Sequence, residues 1–462
     1  MTYTVEHASG LREFFHLRRD PLAWFAEAAQ RGIDIRTLRI GSRHIFQLNH
    51  PDLIRDVLIT HDWNFVKGRG LRASRPVLGQ GLLTSEGELH RRQRRLVQPA
   101  FHSARLASYA DTMTACANST CRTWTDGSVI AIDQEMMRLT LRIVGRTLFS
   151  ADLASGAEGV SASLTRALKL FLHLNSPITQ LFPPLRHYRE REAAKLRAEL
   201  AAVLAPVIRE HRAYPERYDD MLSMLLRSTD DSGAGFLSDD LLLDEALTLF
   251  LAGHETTANA LTFTWLLLAQ HPQAAARLHD EVDCVLGGHL PTYDAVPRLT
   301  HTGRVFREAL RLYPPAWLIA RDAVTSYRFG SLDVPANSTV FMSPFATQRD
   351  PRYWPDPERF LPERFADSAV ERPRFAFYPF GAGTRACVGE HFAWMEGTLL
   401  LATLAQRWQL HLASSQRVEL WPQITLRPRR PLLMRVEARQ PRRAFLMPGQ
   451  GSQRTCAQPS VY

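Results

Sequence analysis

The apolar stretch from residue 246 to residue 268, ALTLFLAGHETTANALTFTWLLL, places the strongest constraint on what this chain can fold into. The stretch is long enough to cross a bilayer. His254, Glu255 and a group of threonines lie near its middle, however, and ionisable groups are expensive in hydrocarbon. We therefore expect a helix buried at the centre of a globular protein. Gly253 removes side-chain bulk and threonines can bond back to the preceding turn, so we also expect a local notch in this helix.

The rest of the chain predicts a mainly α-helical protein with small β regions. Helical periodicity dominates from residue 82 to residue 311, and alternating patterns at residues 35–48 and 327–340 indicate short strands. The proline-rich and aromatic-rich stretch 344–380 has no sustained period, which indicates a long ordered loop. Further expected elements are a short helix at residues 21–31, a last long helix at 390–408, and a basic, disordered tail at 438–462.

A single cysteine stands in a glycine-rich loop directly before the last long helix. The segment from Phe380 to Gly397 reads FGAGTRACVGEHFAWMEG. Gly381 and Gly383 permit tight or left-handed turns, so backbone N–H groups can point at the Cys387 sulfur. The positive end of the helix dipole lies nearby. Both effects lower the pKa of a thiol, so we predict that this loop holds Cys387 as a thiolate.

The residues around Cys387 form a pattern far more specific than a lone cysteine. They are Phe380, Gly381, Gly383, Arg385, Cys387 and Gly389, at the spacing F-x-x-G-x-R-x-C-x-G. The segment resembles the haem-binding loop of the cytochromes P450. The resemblance implies a single-domain fold in which haem b is buried between the central oxygen-binding helix and the helix of the cysteine loop. It also implies that Cys387 is the thiolate ligand of the iron, that Arg385 binds a propionate and that Phe380 shields the sulfur.

The central helix carries a second segment that is similar to this family. Residues 252–257 read AGHETT and resemble the A-G-x-E-T-T signature of the oxygen-binding helix. Taken alone, Thr256 could simply bond to its own backbone, and Glu255 could be a structural ion-pair partner. The resemblance implies instead that the notch holds dioxygen and that Thr256 and Glu255 are the catalytic pair that delivers protons. His254 has no implied role.

An acidic and a basic residue lie three apart in the segment REALRLYPP, on one face of a predicted helix. They are Glu308 and Arg311, and such a pair in isolation is usually a solvated salt bridge. The segment resembles the E-x-x-R helix of the family, and Arg364 in FLPERF resembles the third member of a structural triad. The resemblance implies that the buried triad locks the long loop that leads to Cys387.

Further basic residues complete the cofactor site that the resemblance implies. In ELHRRQRR, residues 88–95, His90 and Arg94 lie four apart on one helix face. The segment resembles the W-x-x-x-R helix that binds a propionate, with His90 in place of tryptophan. Arg321, in LIARDA, matches a position that binds the second propionate.

The net charge of +9 and the pI near 9.6 predict attraction to an acidic partner. Nucleic acid, an anionic membrane and an acidic protein all satisfy this condition, but no nucleic-acid-binding motif is present. The resemblance implies that Arg91, Arg92 and Arg95 face the cysteine side of the molecule, where an acidic ferredoxin or flavodoxin with its reductase docks. We expect a cytoplasmic monomer with no nucleic-acid partner and no membrane anchor.

The resemblance implies a monooxygenase that takes electrons from an external NAD(P)H-linked partner and hydroxylates or epoxidises a small apolar substrate. The catalytic domain is expected at residues 20–437, after an N-terminal segment 1–20. The expected substrate pocket contains Phe250, Ala252, Trp317, Leu318 and Ile319, with the regions 65–83 and 170–188. This apolar lining suits a terpenoid, a fatty acid or a steroid-like molecule and does not rank them. The expected substrate is a terpenoid or other secondary metabolite, with fatty acids or steroid-like molecules next. A peroxide-driven or rearranging enzyme and a non-catalytic haem sensor are the alternatives, and the Glu255–Thr256 pair argues against both.

Overall fold

Helices pack around one long central helix, and the strands form one six-stranded sheet and three smaller sheets. The structure is a computed structural model that describes residues 2–8, 11–152, 166, 170, 182–228, 237–366, 368, 370–414 and 416–440. The α-helices are α1 Leu11–Arg19, α2 Pro21–Gln30, α3 Pro51–Arg55, α4 Arg69–Arg72, α5 Arg75–Leu78, α6 Gly87–Val97, α7 Ser103–Cys121, α8 Ile132–Leu148, α9 Pro183–Ala213, α10 Met221–Arg227, α11 Asp239–Gln270, α12 Pro272–Leu286, α13 Thr300–Leu312, α14 Pro344–Thr347 and α15 Glu390–Ala405. A π-helix occupies Asp56–Thr60, and 3₁₀ turns occupy Asp62–Asn64, Gln98–Phe101, Tyr293–Arg298, Pro362–Phe365, Arg374–Ala376 and Gly383–Arg385.

The central helix predicted from the apolar stretch is α11, and it is buried along most of its length. Its first turn is stabilised by the Ser238 side chain, which accepts a hydrogen bond from the Leu241 N–H, and by two aspartates near the positive end of the dipole. It packs mainly against α8 and also against α13, α15 and α9. Among the described residues, no helix is long and apolar enough to cross a membrane. The prediction of a buried central helix is confirmed.

The strands form one mixed sheet of six strands and three smaller sheets. The strands are β1 Val5–Ala8, β2 Ile35–Ile40, β3 Arg43–Leu48, β4 Phe65–Lys67, β5 Val129–Ala131, β6 Ile319–Ala323, β7 Tyr327–Phe329, β8 Leu332–Val334, β9 Thr339–Met342, β10 Trp408–Leu412, β11 Leu420–Pro422, β12 Leu426–Pro428 and β13 Leu433–Ala438. The large sheet has the order β1-β2-β3-β9-β6-β4. The smaller sheets are β10-β13-β5 and the hairpins β11-β12 and β7-β8. Gly41, with φ +59°, makes the turn between β2 and β3.

The C-terminal elements differ from the prediction in their bounds. The last long helix ends at Ala405 and not at residue 408, because Trp408 begins β10 and pairs with Ala438 of β13. Two residues of the expected tail are ordered: Ala438 ends β13, and Arg439 Nη2 forms an ion pair with Asp283 Oδ2 at 2.9 Å. Residues 441–462 lie outside the described residues, as does most of the region 170–188.

A close helix contact sets the position of the helix that follows the cysteine. Gly397 of α15 faces the ring of Phe306 on α13, and a Cβ at Gly397 would come within 2.3 Å of that ring. Any larger residue would therefore push the two helices apart. The contact holds the cysteine helix against the helix that carries Glu308 and Arg311.

The structure brings Glu308, Arg311 and Arg364 together in the interior. The Glu308 and Arg311 side chains have no exposed surface, and their two hydrogen bonds are 2.7 Å (Nε to Oε2) and 2.8 Å (Nη2 to Oε1) long. Arg364 Nε lies 3.3 Å from Glu308 Oε1. A buried charge is tolerated only when it is paired and hydrogen-bonded, and both conditions hold here.

This triad binds the backbone of the long loop. The Arg311 guanidinium donates to the carbonyl oxygens of Gln348, Pro357 and Arg359, and Glu308 accepts a hydrogen bond from the Leu361 N–H. These acceptors belong to a stretch with little regular structure, so their polar groups need partners from elsewhere. The triad therefore fixes the loop between α14 and the cysteine.

Removal of Arg311 should destabilise the protein strongly. Arg311→Met leaves the Glu308 charge buried and three loop carbonyls without their donor, so we expect a loss of about 3–5 kcal/mol in the free energy of unfolding. Urea denaturation of the purified protein measures it. The control is Arg359→Met, which removes an exposed 3.3 Å pair with Asp356 and should change stability by less than about 0.5 kcal/mol. Equal effects from the two variants would contradict the structural role of the triad.

Candidate active site

A cavity of about 1820 Å³ lies between the central helix and the cysteine loop. The residues of α11 on its wall are Leu249, Ala252, Gly253, Thr256, Thr257 and Ala260. Their spacing is that of one helix face. Cys387, Val388 and Phe380 line the cavity from the cysteine loop. The segments that resemble the haem loop and the oxygen-binding helix therefore contribute to the same cavity.

The glycine-rich loop adopts a backbone that its sequence requires. Gly383 has φ +70°, and a Cβ there would lie 1.9 Å from the Leu58 carbonyl oxygen, so no other residue fits. The Cys387 N–H donates to the Phe380 carbonyl at 2.9 Å, which closes the loop. Gly389 is the N-cap of α15. The sulfur is accessible from the cavity although it lies deep inside the protein.

The protein alone does not make the Cys387 thiol acidic. Burial raises the pKa of the Cys387 thiol to about 11, and the nearby Glu390 acts in the same direction. The hydrogen bond from Gly389 and the charge of Arg94 oppose this effect without overcoming it. In the protein alone, desolvation of the sulfur therefore outweighs the helix end and the backbone donors that favour the predicted thiolate.

Buried cations are concentrated at one side of the cavity. Lys67, Arg321 and Arg385 all line it. Burial lowers the pKa of Lys67 to about 7 and that of Arg321 to about 10, and the other arginines in the cluster add to both shifts. Arg385 pairs with Glu86 at 2.8 Å, but its Nε has no hydrogen-bond partner among the described residues. A ligand with carboxylate groups would relieve this excess of buried positive charge.

The two predicted residues of α6 lie beside this cluster and not on the cavity wall. Arg94 Nη1 donates to the Ala386 carbonyl at 2.6 Å, so Arg94 holds the cysteine loop directly. His90 is buried, and burial together with the charges of Lys67 and Arg385 lowers its pKa to about 4. His90 is therefore neutral at physiological pH and retains one N–H donor.

The acid and the alcohol of the central helix point in different directions. Thr256 lines the cavity and donates to the Ala252 carbonyl at 2.9 Å, one turn earlier. Glu255 is buried on an adjacent face, where its Oε1 accepts a hydrogen bond from Thr425 Oγ1 at 2.5 Å. Consecutive helix residues are about 100° apart, which accounts for the difference.

One of the expected substrate residues lies away from the cavity, and the others line it. Ala252, Trp317, Leu318 and Ile319 line the cavity. Phe250 does not, because it lies on an adjacent face of α11, where its ring packs against Phe149 at 6.2 Å between centroids. The α11 position that faces the cavity instead is Leu249 (one residue earlier). Leu83, from the expected region 65–83, also lies on the wall.

Sequence reasoning missed several groups that the structure places at or beside the cavity. Lys67 closes a short strand, and its ammonium donates to the carbonyl oxygens of Leu82 and Ser85 at 2.8 and 2.7 Å. Glu396 on α15 is fully buried beside Thr257, and burial raises its pKa to about 8. The hairpin β11-β12 forms part of the wall through residues 420–424. No local pattern marks these residues, because they meet the site only through long-range packing.

Known proteins provide an independent comparison. The family model described as Cytochrome P450 matches residues 12–434. The chain is 39% identical to the cyclooctatin synthase of Streptomyces melanosporofaciens over 89% of this chain and 90% of that protein. It is 36% identical to the pentalenene oxygenase of Streptomyces avermitilis over 92% of this chain and 95% of that protein. The crystal structure of the cytochrome P450DA haem domain superposes with a TM-score of 0.85 at 27% identity, and the match covers 96% of this chain and 100% of that domain. The chain therefore belongs to the cytochrome P450 family and has its fold.

Proposed function

We propose that this P450 monooxygenase inserts one oxygen atom of O₂ into a small apolar substrate by hydroxylation or epoxidation. For a hydroxylation, substrate, O₂, two electrons and two protons give the alcohol and one water. The observation that carries the proposal is the cavity itself, which has the Cys387 sulfur on one side and Gly253 and Thr256 on the other. The oxidised substrate carbon would lie between them.

Cys387 is the proposed axial ligand of haem b. Bound iron would hold the sulfur as a thiolate in spite of its burial, because a coordinated thiol loses its proton. The haem supplies the redox chemistry that activates dioxygen. Phe380, whose ring packs edge-on against Trp394 at 5.2 Å, would shield the sulfur from water. Gly389 would keep the start of α15 close to the ligand.

The buried cations would hold the carboxylates of the cofactor. Arg321 and Arg385 are the proposed propionate partners, and we add Lys67, which shares their side of the cavity. His90 and Arg94 would support the same region from α6, where Arg94 binds the loop backbone next to the ligand. Glu86 keeps Arg385 in place.

Thr256 and Glu255 are the proposed proton-delivery pair. The Thr256 hydroxyl faces the cavity, so it could exchange its hydrogen bond to the Ala252 carbonyl for a bond that passes its proton into the cavity. Glu255 would resupply protons through water. This acid–alcohol pair favours the oxygen-activating reaction over a peroxide-driven one.

A terpenoid or similar secondary metabolite is the proposed substrate class, with fatty acids and steroid-like molecules next. The wall near Thr256 is largely apolar, and the groups that define it are Leu83, Leu249, Ala252, Leu318, Ile319 and Ile424. The relatives named pentalenene oxygenase and cyclooctat-9-en-7-ol 5-monooxygenase, the latter 35% identical, take their names from cyclic hydrocarbon skeletons. An apolar ring system fits such a wall.

The proposed electron donor is an acidic ferredoxin or flavodoxin with its reductase. The exposed side chains of Arg91, Arg92 and Arg95 lie on α6, the helix that touches the cysteine loop through Arg94. Glu88 pairs with Arg91 and Arg92 and reduces part of this charge. The remaining positive surface would steer an acidic protein to the side nearest Cys387.

The carbon monoxide difference spectrum of the reduced protein tests the ligand. The parent should show the strongly red-shifted Soret band of a haem-thiolate, and Cys387→Ser should lack it. Cys121→Ser, at a buried cysteine whose sulfur faces the Thr403 carbonyl, serves as the control and should keep the band. A parent spectrum typical of histidine ligation would overturn the proposal.

Loss of the Thr256 hydroxyl should separate electron consumption from product formation. In Thr256→Ala, we expect NAD(P)H consumption to continue while hydrogen peroxide replaces product, with the yield of product per NAD(P)H lower by about tenfold or more. The control is Thr264→Val, at a buried threonine that bonds only to the Ala260 carbonyl in the same helix. Unchanged product yield in Thr256→Ala would contradict the assigned role.

Lys67 should contribute to cofactor retention. Lys67→Met removes a buried ammonium that we place beside a haem carboxylate, so the rate of haem transfer to an excess of apomyoglobin should rise by about tenfold, equivalent to about 1.4 kcal/mol. Lys195→Met, at an exposed position on α9, is the control and should transfer haem at the parental rate. Equal rates in all three proteins would remove Lys67 from the site.

A further inference from the structure

The hairpin β11-β12 contacts the carboxylate of Glu255 directly. Thr425, in the hairpin turn, donates from Oγ1 to Glu255 Oε1 at 2.5 Å. Arg427 of β12 approaches the same oxygen with Nη2 at 4.0 Å. Asn259, one turn along α11, donates to Thr425 Oγ1 at 3.4 Å. Glu255 and Asn259 lie on one helix face, and this face meets the hairpin.

The same hairpin is fixed to the cavity wall. Its residues 420–424 line the cavity. Trp317, another wall residue, donates from its indole nitrogen to the Gln423 carbonyl at 2.8 Å, and the Leu426 N–H donates to the Pro315 carbonyl at 2.9 Å. The hairpin therefore has a defined position relative to both the substrate space and Glu255.

The burial of the Arg427 guanidinium favours its pairing with the Glu255 carboxylate. Its side chain is 13% exposed, and burial lowers the pKa of its guanidinium, while the charge of Glu255 opposes that shift. The guanidinium also stacks over the Trp421 ring at 5.3 Å. A buried arginine needs a negative partner, and Glu255 is the carboxylate within reach among the described residues. At 4.0 Å the pair attracts without a direct hydrogen bond, so the carboxylate keeps some freedom to move.

We propose that Thr425 and Arg427 are positioning residues that hold the Glu255 carboxylate for proton delivery to Thr256. Thr425 sets its orientation through one hydrogen bond, and Arg427 stabilises its charge in a buried site. Neither residue lines the cavity, so both act through Glu255 and not on the substrate. This inference rests on the proposed role of Glu255 in oxygen activation.

Loss of this positioning should change how the electrons are used. Productive turnover consumes O₂, two electrons and two protons and gives product and water, whereas misdirected protonation with the same electrons gives hydrogen peroxide and no product. A wrongly placed acid should shift turnover toward peroxide. It should also make proton transfer slower relative to the other steps, which increases the solvent isotope effect.

The test compares Thr425→Val and Arg427→Gln with Glu255→Gln in the haem-loaded enzyme with its electron donor. Product per NAD(P)H should fall by about threefold or more in both hairpin variants, with a matching rise in hydrogen peroxide and a larger solvent isotope effect on product formation. Substrate Kd from spectral titration should stay within about twofold of the parent, because neither side chain lines the cavity.

Two further variants separate positioning from folding. Thr425→Ser keeps the hydroxyl and should restore parental product yield. Thr262→Val removes a buried hydroxyl that bonds only to the Ala258 carbonyl in α11, and it should behave as the parent. Arg427→Gln provides a second probe if Thr425→Val fails to fold.

The outcomes distinguish this inference from the proposed function. If Glu255→Gln leaves the product yield unchanged, the proposed proton role of Glu255 fails, and the positioning role fails with it. If Glu255→Gln lowers the yield while both hairpin variants match the parent, the positioning role alone is overturned. A Thr425→Ser variant as impaired as Thr425→Val would also overturn it, because the hydroxyl would then not be the relevant group.

Discussion

The buried ion pair between Glu308 and Arg311 determines the position of the irregular stretch between α14 and Cys387. The stretch between α14 and the cysteine has few regular backbone hydrogen bonds, so its carbonyl groups need donors from other elements. Arg311 supplies several of them from a single guanidinium that has no exposed surface. The Phe306–Gly397 contact one turn earlier on α13 then sets the cysteine helix against the same support. The position of Cys387 relative to the central helix depends on both contacts.

The cavity combines two electrostatic imbalances of opposite kinds. One side holds Cys387, whose thiol pKa is raised by burial, and another holds Lys67, Arg321 and Arg385 with the carboxylate of Glu86 beside them. A metal cation at the sulfur and carboxylates at the cations would correct both imbalances. Haem carries both groups, which is why the residues present fit the cofactor of the family. The bound cofactor would thus compensate both the Cys387 sulfur and the buried cations.

The geometry of the central helix places Thr256 and Glu255 on two different faces. Thr256 belongs to the face that lines the cavity, whereas Glu255 belongs to the face that meets the hairpin. An acid on the cavity face would be exposed to the apolar substrate. On the hairpin face the Glu255 carboxylate accepts a hydrogen bond from Thr425 and lies near the Arg427 guanidinium. It is then displaced by one residue, or about 100° around the helix, from the face that carries Thr256.

The sequence by itself determined the family, the central helix, the short strands at residues 35–48 and 327–340 and the loop that carries Cys387, because each depends on local spacing or on a specific motif. It also identified Glu308, Arg311 and Arg364, which the tertiary structure brings into one cluster. Only the tertiary structure decided that Phe250 faces away from the cavity, that burial raises the pKa of the Cys387 thiol, that Lys67 lines the cavity and that Thr425 contacts Glu255. The resemblance locates the pocket-facing part of the central helix only to within about one residue, which is too coarse to separate Phe250 from Leu249. Desolvation and contacts between residues far apart in sequence arise only when the chain is packed, so no local pattern can encode them.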